Sequence, residues 1–105
     1  MRKITLASLE TVRTLSTVEF DWDPIKSASN EAKHGISLSA APSLWAGPVV
    51  TLPSKNPGEP RRLAIGLIDG RHWTVIYTVR NDIYRLISAR RSRTDEKALY
   101  ETLAR

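Results

Sequence analysis

The chain contains no cysteine, which excludes disulfide staples and thiolate metal sites and fits a protein of the reducing cytosol. Histidine is almost as scarce. His34 and His72 are the two present, and no His-x-x-x-His pairing joins them. Glu19, Asp21 and Asp23 alternate with apolar residues and so line one strand face, but Asp23 is taken up as a helix cap. Neither a resident metal nor another cofactor is expected from this inventory. The glycines form no phosphate-cradling loop, no dinucleotide fingerprint and no nucleophile elbow, so nucleotide hydrolysis, dinucleotide binding and serine hydrolysis lack their motifs. No apolar run approaches the ~20 residues of a membrane span.

What is present is a single-domain length of 105 residues, 41% of them hydrophobic, which suffices for one core. The net charge of +5 is unevenly placed. Residues 1–60 carry six Lys or Arg against six Asp or Glu, whereas residues 61–105 carry ten against five, and nine of those ten are Arg. Guanidinium groups present a planar fork that matches phosphate at two points, so this half points to a phosphate-bearing or acidic partner.

Residues 1–16 read as an N-terminal extension and residues 17–105 as the domain. Glu10 and Arg13 interrupt what would otherwise mimic a signal peptide. Leu9 and Val12 suit one face of a short helix, and a start assigned too far upstream is the other reading of this stretch. Val18 to Trp22 alternates apolar and acidic, as a strand does. Asp23-Pro24 opens a helix and Gly35 closes it, giving Pro24 to His34. Ile25, Ala28, Ser29 and Ala32 form its expected packing face, with Lys26, Asn30, Lys33 and His34 on the other.

A second short helix is expected between Ser37 and Ala46, capped by Ser39, with Trp45 in the core and Pro42 limiting its length. Val49 to Leu52 reads as a strand, and Pro53 to Pro60 as a polar loop. Three strands follow as a meander, Arg61 to Ile68, Arg71 to Val79 and Ile83 to Arg91, joined by Asp69-Gly70 and by Arg80-Asn81-Asp82. Strict alternation puts Arg85 and Arg91 on one sheet face and Arg90 on the other, with Tyr84, Leu86 and Ser88. A last helix from about Arg93 to Ala104, capped by Ser92 or Thr94, turns Leu99 and Leu103 inward. His72 reads as an exposed cross-strand residue beside its turn. The order β-α-α-β-β-β-β-α describes an α+β domain, a small antiparallel sheet with helices on one side.

The remaining chemistry is histidine with arginine. RNA is cleaved without metal when its 2′-hydroxyl attacks the adjacent phosphorus, a base takes the proton and cations stabilise the phosphoryl charge. Histidine titrates near neutrality and suits the proton transfer. Arginine forks suit the charge.

Phe20-Asp21-Trp22-Asp23, Lys26, Asn30 and Lys33-His34-Gly35 resemble the opening of the BrnT family of ribonuclease toxins. Arg61 to Gly66, Gly70-Arg71, Tyr77 to Arg80, Arg85 to Arg91, Glu96 and Tyr100 resemble the rest of it. The extension, Pro42 and Arg62 depart from the family pattern. The resemblance implies a RelE-like fold and a cytoplasmic, metal-independent endoribonuclease toxin of a type II toxin–antitoxin system. It implies a BrnA-type ribbon-helix-helix antitoxin as partner, RNA as substrate, contact with DNA only through the antitoxin, and a toxin dimer within the complex. Lys33, His34, Arg61, Arg80 and Arg90 match the family's polar positions, and Arg91 matches less closely. On this footing His34 transfers the proton, Arg80 and Arg90 stabilise the developing charge, and Lys33, Arg61 and Arg91 hold the RNA backbone. A basic module that binds without catalysis, or a degenerate toxin acting in a repressor complex, is the alternative.

Overall fold

The computed structural model describes residues 2–8, 16–54 and 58–104. Strands β1 (Arg2–Ser8) and β2 (Ser16–Trp22) precede helix α1 (Pro24–His34) and a 3-10 helix at Ala41–Ala46. Strands β3 (Val50–Pro53), β4 (Arg62–Ile68), β5 (Arg71–Arg80) and β6 (Ile83–Arg91) follow, and helix α2 (Thr94–Leu103) ends the fold. The strands form one sheet in the order β1-β2-β6-β5-β4-β3. The α+β class stands, with two additions. Arg2–Ser8 pairs antiparallel with β2 as an edge strand, while the helix read from Leu9 and Val12 lies outside the described residues. The β2–β6 pair is parallel, because the chain between those strands crosses the whole domain before returning.

Local chemistry sets the element ends. The Asp23 carboxylate accepts from the Ile25 N–H at 2.8 Å, and Gly35 closes α1 in a left-handed conformation with φ 83°. Asp69-Gly70 and Asn81-Asp82 are two-residue hairpin turns with positive φ throughout. The expected second helix is shorter and tighter than a regular one. Ser37, rather than Ser39, supplies the hydroxyl that accepts from the Ala40 N–H, and the 3-10 segment begins only at Ala41, with Pro42 in its first turn. Gly66 lets this segment approach β4, since a Cβ there would stand 2.8 Å from Leu44.

Helices cover both faces of the sheet, which corrects the one-sided expectation. On one face Phe20, Trp22, Leu44, Trp45, Trp73, Val75, Tyr77 and Leu86 make the main core. Tyr77 stacks on Tyr84 at 4.8 Å, and Trp45 meets Tyr77 edge-on at 5.4 Å. On the other face Tyr100 of α2 packs with Val50 and Ile65. Leu99 joins them, but Leu103 is 60% exposed, because Tyr100 takes the inward position. A β-bulge breaks the alternation of β6. Ile76 is opposite Ser88, yet Tyr77 is opposite Leu86, so Ile87 is the extra residue. Arg85 and Arg90 therefore share the α2 face, opposite Thr78 and Thr74, while Tyr84, Leu86 and Arg91 take the aromatic face.

The packing side of α1 also differs from the hydropathy reading. Its buried residues are Ser27 and Asn30, and Ile25 is 80% exposed. Asn30 donates to the carbonyls of Ile36 (2.8 Å) and Ala89 (2.9 Å) and accepts from the Ala89 N–H (3.2 Å). Pairing between β2 and β6 stops at Asp21–Arg85, and beyond it the Asn30 amide meets the β6 backbone as the next strand residue would. The Ser27 hydroxyl accepts from the Ser39 N–H. Hydrogen bonds rather than apolar area seat this helix. Asn30→Ala, which leaves three buried backbone groups without partners, is expected to cost about 3 kcal/mol. Ile25→Ser should stay within about 0.5 kcal/mol. Urea denaturation of the two variants checks both values.

Candidate RNA-facing site

Lys33 and His34 occupy the last turn of α1, where the helix dipole favours cations, and both are exposed. Neither side chain makes a hydrogen bond or ion pair among the described residues. His34 follows Asn30 by one helical turn, and Arg91 follows Ala89 by two strand residues. Each backbone position thus lies within about 7 Å of the Asn30–Ala89 bond, measured along its own element. Arg91 is exposed, with its guanidinium 5.3 Å from the centre of the Trp73 ring. Trp73 itself is 8% exposed and belongs to the core. This end of the fold therefore offers an imidazole, an ammonium and a guanidinium that are open to solvent.

Arg90, next to Arg91, has a different environment. Its Nη1 and Nη2 each donate to Glu96 at 2.8 Å in a two-point pair on the α2 face. Glu96 also accepts from the Arg93 N–H at 2.8 Å and from the Thr74 hydroxyl at 3.0 Å. Thr74 gives its one proton to Glu96, so the Ser92 hydroxyl donates to Thr74. The network replaces the hydroxyl cap expected at Ser92 or Thr94, and it fastens α2 to β5 and β6. Arg90 comes first among the groups that hold the Glu96 carboxyl down at about 2, followed by the Arg93 N–H and Thr74.

Arg80 stands apart from both. Its register partner is Ile83, whereas Arg90 is opposite Thr74, six residues back along β5, about 20 Å on an extended strand. Arg80 donates through Nε and Nη2 to Glu59, each at 2.7 Å. Arg61 and Arg62 line a cleft of about 290 Å³ with Glu59, Pro60, Thr78 and Val79. Arg62 also reaches Thr51 across the β3–β4 pair. The structure thus distributes the six candidates. Lys33, His34 and Arg91 belong to one end, Arg61 and Arg80 to the other, and Arg90 is held beneath α2.

Three residues at these places escaped the sequence reading as site residues: Asn30, Glu59 and Arg85. Arg85 reaches Asp21 at 3.4 Å across the parallel pair. Glu59 sits in a proline-rich loop where no periodicity marks it. His72 is half-buried rather than exposed, with Nε2 2.8 Å from a Glu101 oxygen and its ring edge-on to Tyr100. Among the described residues no three His, Cys, Asp or Glu side chains converge as a metal would need, and no helix is long and apolar enough to cross a membrane.

The Glu96 network makes a prediction about acid stability. The folded carboxyl titrates at about 2 against an ordinary 4.5, so its contribution is complete above the unfolded value. It is lost as pH falls from about 4.5 through about 2, and amounts to about 3 kcal/mol. Urea denaturation as a function of pH should show this loss in the wild type, and a flatter acid limb in Glu96→Gln.

Comparison with curated proteins finds no match. A model of the family described as the ribonuclease toxin BrnT of type II toxin–antitoxin systems matches residues 22–96. The matched segment runs from the end of β2 into α2 and carries all six candidate residues. The chain therefore belongs to the BrnT family of type II toxin–antitoxin ribonuclease toxins.

Proposed function

We infer that this protein is a cytoplasmic endoribonuclease toxin that cleaves RNA without metal by attack of the 2′-hydroxyl on the neighbouring phosphorus. On this reading it arrests growth when free, and a BrnA-type ribbon-helix-helix antitoxin neutralises it. Contact with DNA comes through that antitoxin, and two toxin copies meet within the complex. The observation that carries the reading is the family match over residues 22–96.

The side chains support a specific division of labour. His34 is the histidine whose ring has no partner among the described residues, so it is available to take the 2′-proton or to protonate the leaving oxygen. His72 is engaged by Glu101. Lys33 and Arg91, beside the same Asn30–Ala89 anchor, supply positive charge for the phosphoryl oxygens. Among the described residues Arg91, unlike Arg90, keeps its fork clear of carboxylates, so we assign the charge role to Arg91 and a positioning role to Arg90. Arg90 fixes the end of β6 through Glu96. Arg61 and Arg80 contact the RNA backbone further along the molecule. Metal independence is consistent with the state of the carboxylates: Asp21, Glu59 and Glu96 each bind an arginine.

Purified protein should degrade RNA with a chelator present. His34→Ala should lower kcat/KM by about 100-fold and Arg91→Ala by a similar factor, with unchanged urea midpoints. Arg90→Ala should instead lower the midpoint. Protein that binds RNA with a steep salt dependence but leaves it intact would favour the binding-module reading. Full activity of both His34→Ala and Arg91→Ala would place the site elsewhere.

A further inference from the structure

The Arg80 end of the sheet already holds an anion. Arg80 grips the Glu59 carboxylate at two points, in the fork geometry that guanidinium uses for phosphate. Arg61 and Arg85 stand close enough to add their charge to that of Arg80 at Glu59, and together the three hold its carboxyl below the usual carboxylate range. Arg80, at the end of β5, makes the contact with the carboxylate, and Arg61, just before β4, lines the same cleft as Glu59. The site is shaped as well as charged. The cleft of about 290 Å³ runs beside it, walled by Pro60, Thr78 and Val79 and floored in part by Arg61 and Arg62. The Thr78 hydroxyl donates to the Pro60 carbonyl at 2.7 Å, which fixes the loop carrying Glu59 against β5.

Arg80 and Glu59 differ from Arg90 and Glu96 in one decisive respect. Their side chains are 54% and 41% exposed, against 20% and 9% for the buried pair. An exposed ion pair is weak and exchanges readily with a competing anion. A buried one with four hydrogen bonds does not. Of these two arginine–carboxylate pairs, Arg90–Glu96 is therefore built to stay and Arg80–Glu59 to open.

We propose that Arg80 and Arg61 form a phosphate-binding subsite for the RNA backbone, and that the Glu59 carboxylate is its resting occupant, an internal competitor that RNA displaces. Glu59 thereby weakens RNA binding and screens the subsite from small anions. A polyanion that engages the other end of the molecule at the same time outcompetes it through the added contacts. The identity of the ligand as RNA rests on the ribonuclease reading above, whereas the exchange at Arg80 rests on this geometry.

The test is binding of a short 2′-O-methyl oligoribonucleotide, which lacks the attacking hydroxyl, by fluorescence anisotropy on the full chain. Glu59→Gln should bind about fivefold tighter than wild type at low salt. Asp69→Asn, at the far hairpin and already left-handed, removes the same charge and should show no such gain. The gain should vanish in Glu59→Gln/Arg80→Ala. Equal affinity of Glu59→Gln and wild type, an equal gain in Asp69→Asn, or a gain that survives in the double variant each overturns the proposal. Lack of RNA cleavage by the wild type would overturn the ribonuclease reading and leave this exchange intact. An active wild type whose Glu59→Gln variant gains no affinity would do the reverse.

Discussion

The placement of α1 depends on one side chain. Asn30 meets both backbone groups of Ala89 and the carbonyl of Ile36, and it does so where β2 has left the sheet and β6 would otherwise expose an unsatisfied edge. A buried edge carries a full desolvation cost, so the amide is required by the backbone it covers. It also fixes the helix in rotation, since an amide that both donates to and accepts from one residue tolerates little sliding. Because His34 is one turn further on, the orientation of the imidazole follows from that of the amide. The helix contributes little apolar burial, and Ile25 points to water.

The arginines sort by the company they keep. Arg90 lies beneath α2 with its fork saturated by Glu96, and serves as a rivet between strand and helix. Arg85 bridges to Asp21 across the parallel pair, the seam between the N-terminal and C-terminal parts of the sheet. Arg80 holds Glu59 at the surface, and Arg91 lies over Trp73 with its edge to solvent. A basic composition therefore does not translate into an equally basic contact surface. Part of the positive charge is committed to holding the sheet together, and the part that remains at the ends defines where a polyanion meets the protein.

Short-range chemistry was legible in the sequence. Asp23 and Gly35 bound α1 because a cap and a left-handed C-terminal residue act within one turn. Asp69-Gly70 fixed a hairpin for the same reason, and Trp45 was read as core on hydrophobicity. What escaped was whatever depends on a distant partner. The bulge at Ile87 reverses which face Tyr84 and Leu86 share, and no residue in that stretch announces an insertion. Ser27 and Asn30 look like surface residues until Ser39 and Ala89 are placed against them. Likewise the candidate residues were named by type, but their separation came from register. Nothing local in Arg80 or Arg90 reveals that the sheet keeps them about 20 Å apart.

The parallel seam has a consequence for synthesis of the chain. Glu19 pairs with Ile83, and Asn30 pairs with Ala89, so the contacts that join β2 and α1 to the sheet span most of the sequence. On the ribosome, β2 and α1 emerge before β6 and wait for it, since Ala89 is made 59 residues after Asn30. Closure of so long a loop is entropically costly and late. The end of α1 therefore has no fixed address until β6 is made, and the surface that carries Lys33, His34 and Arg91 is assembled in one step once that strand has left the exit tunnel.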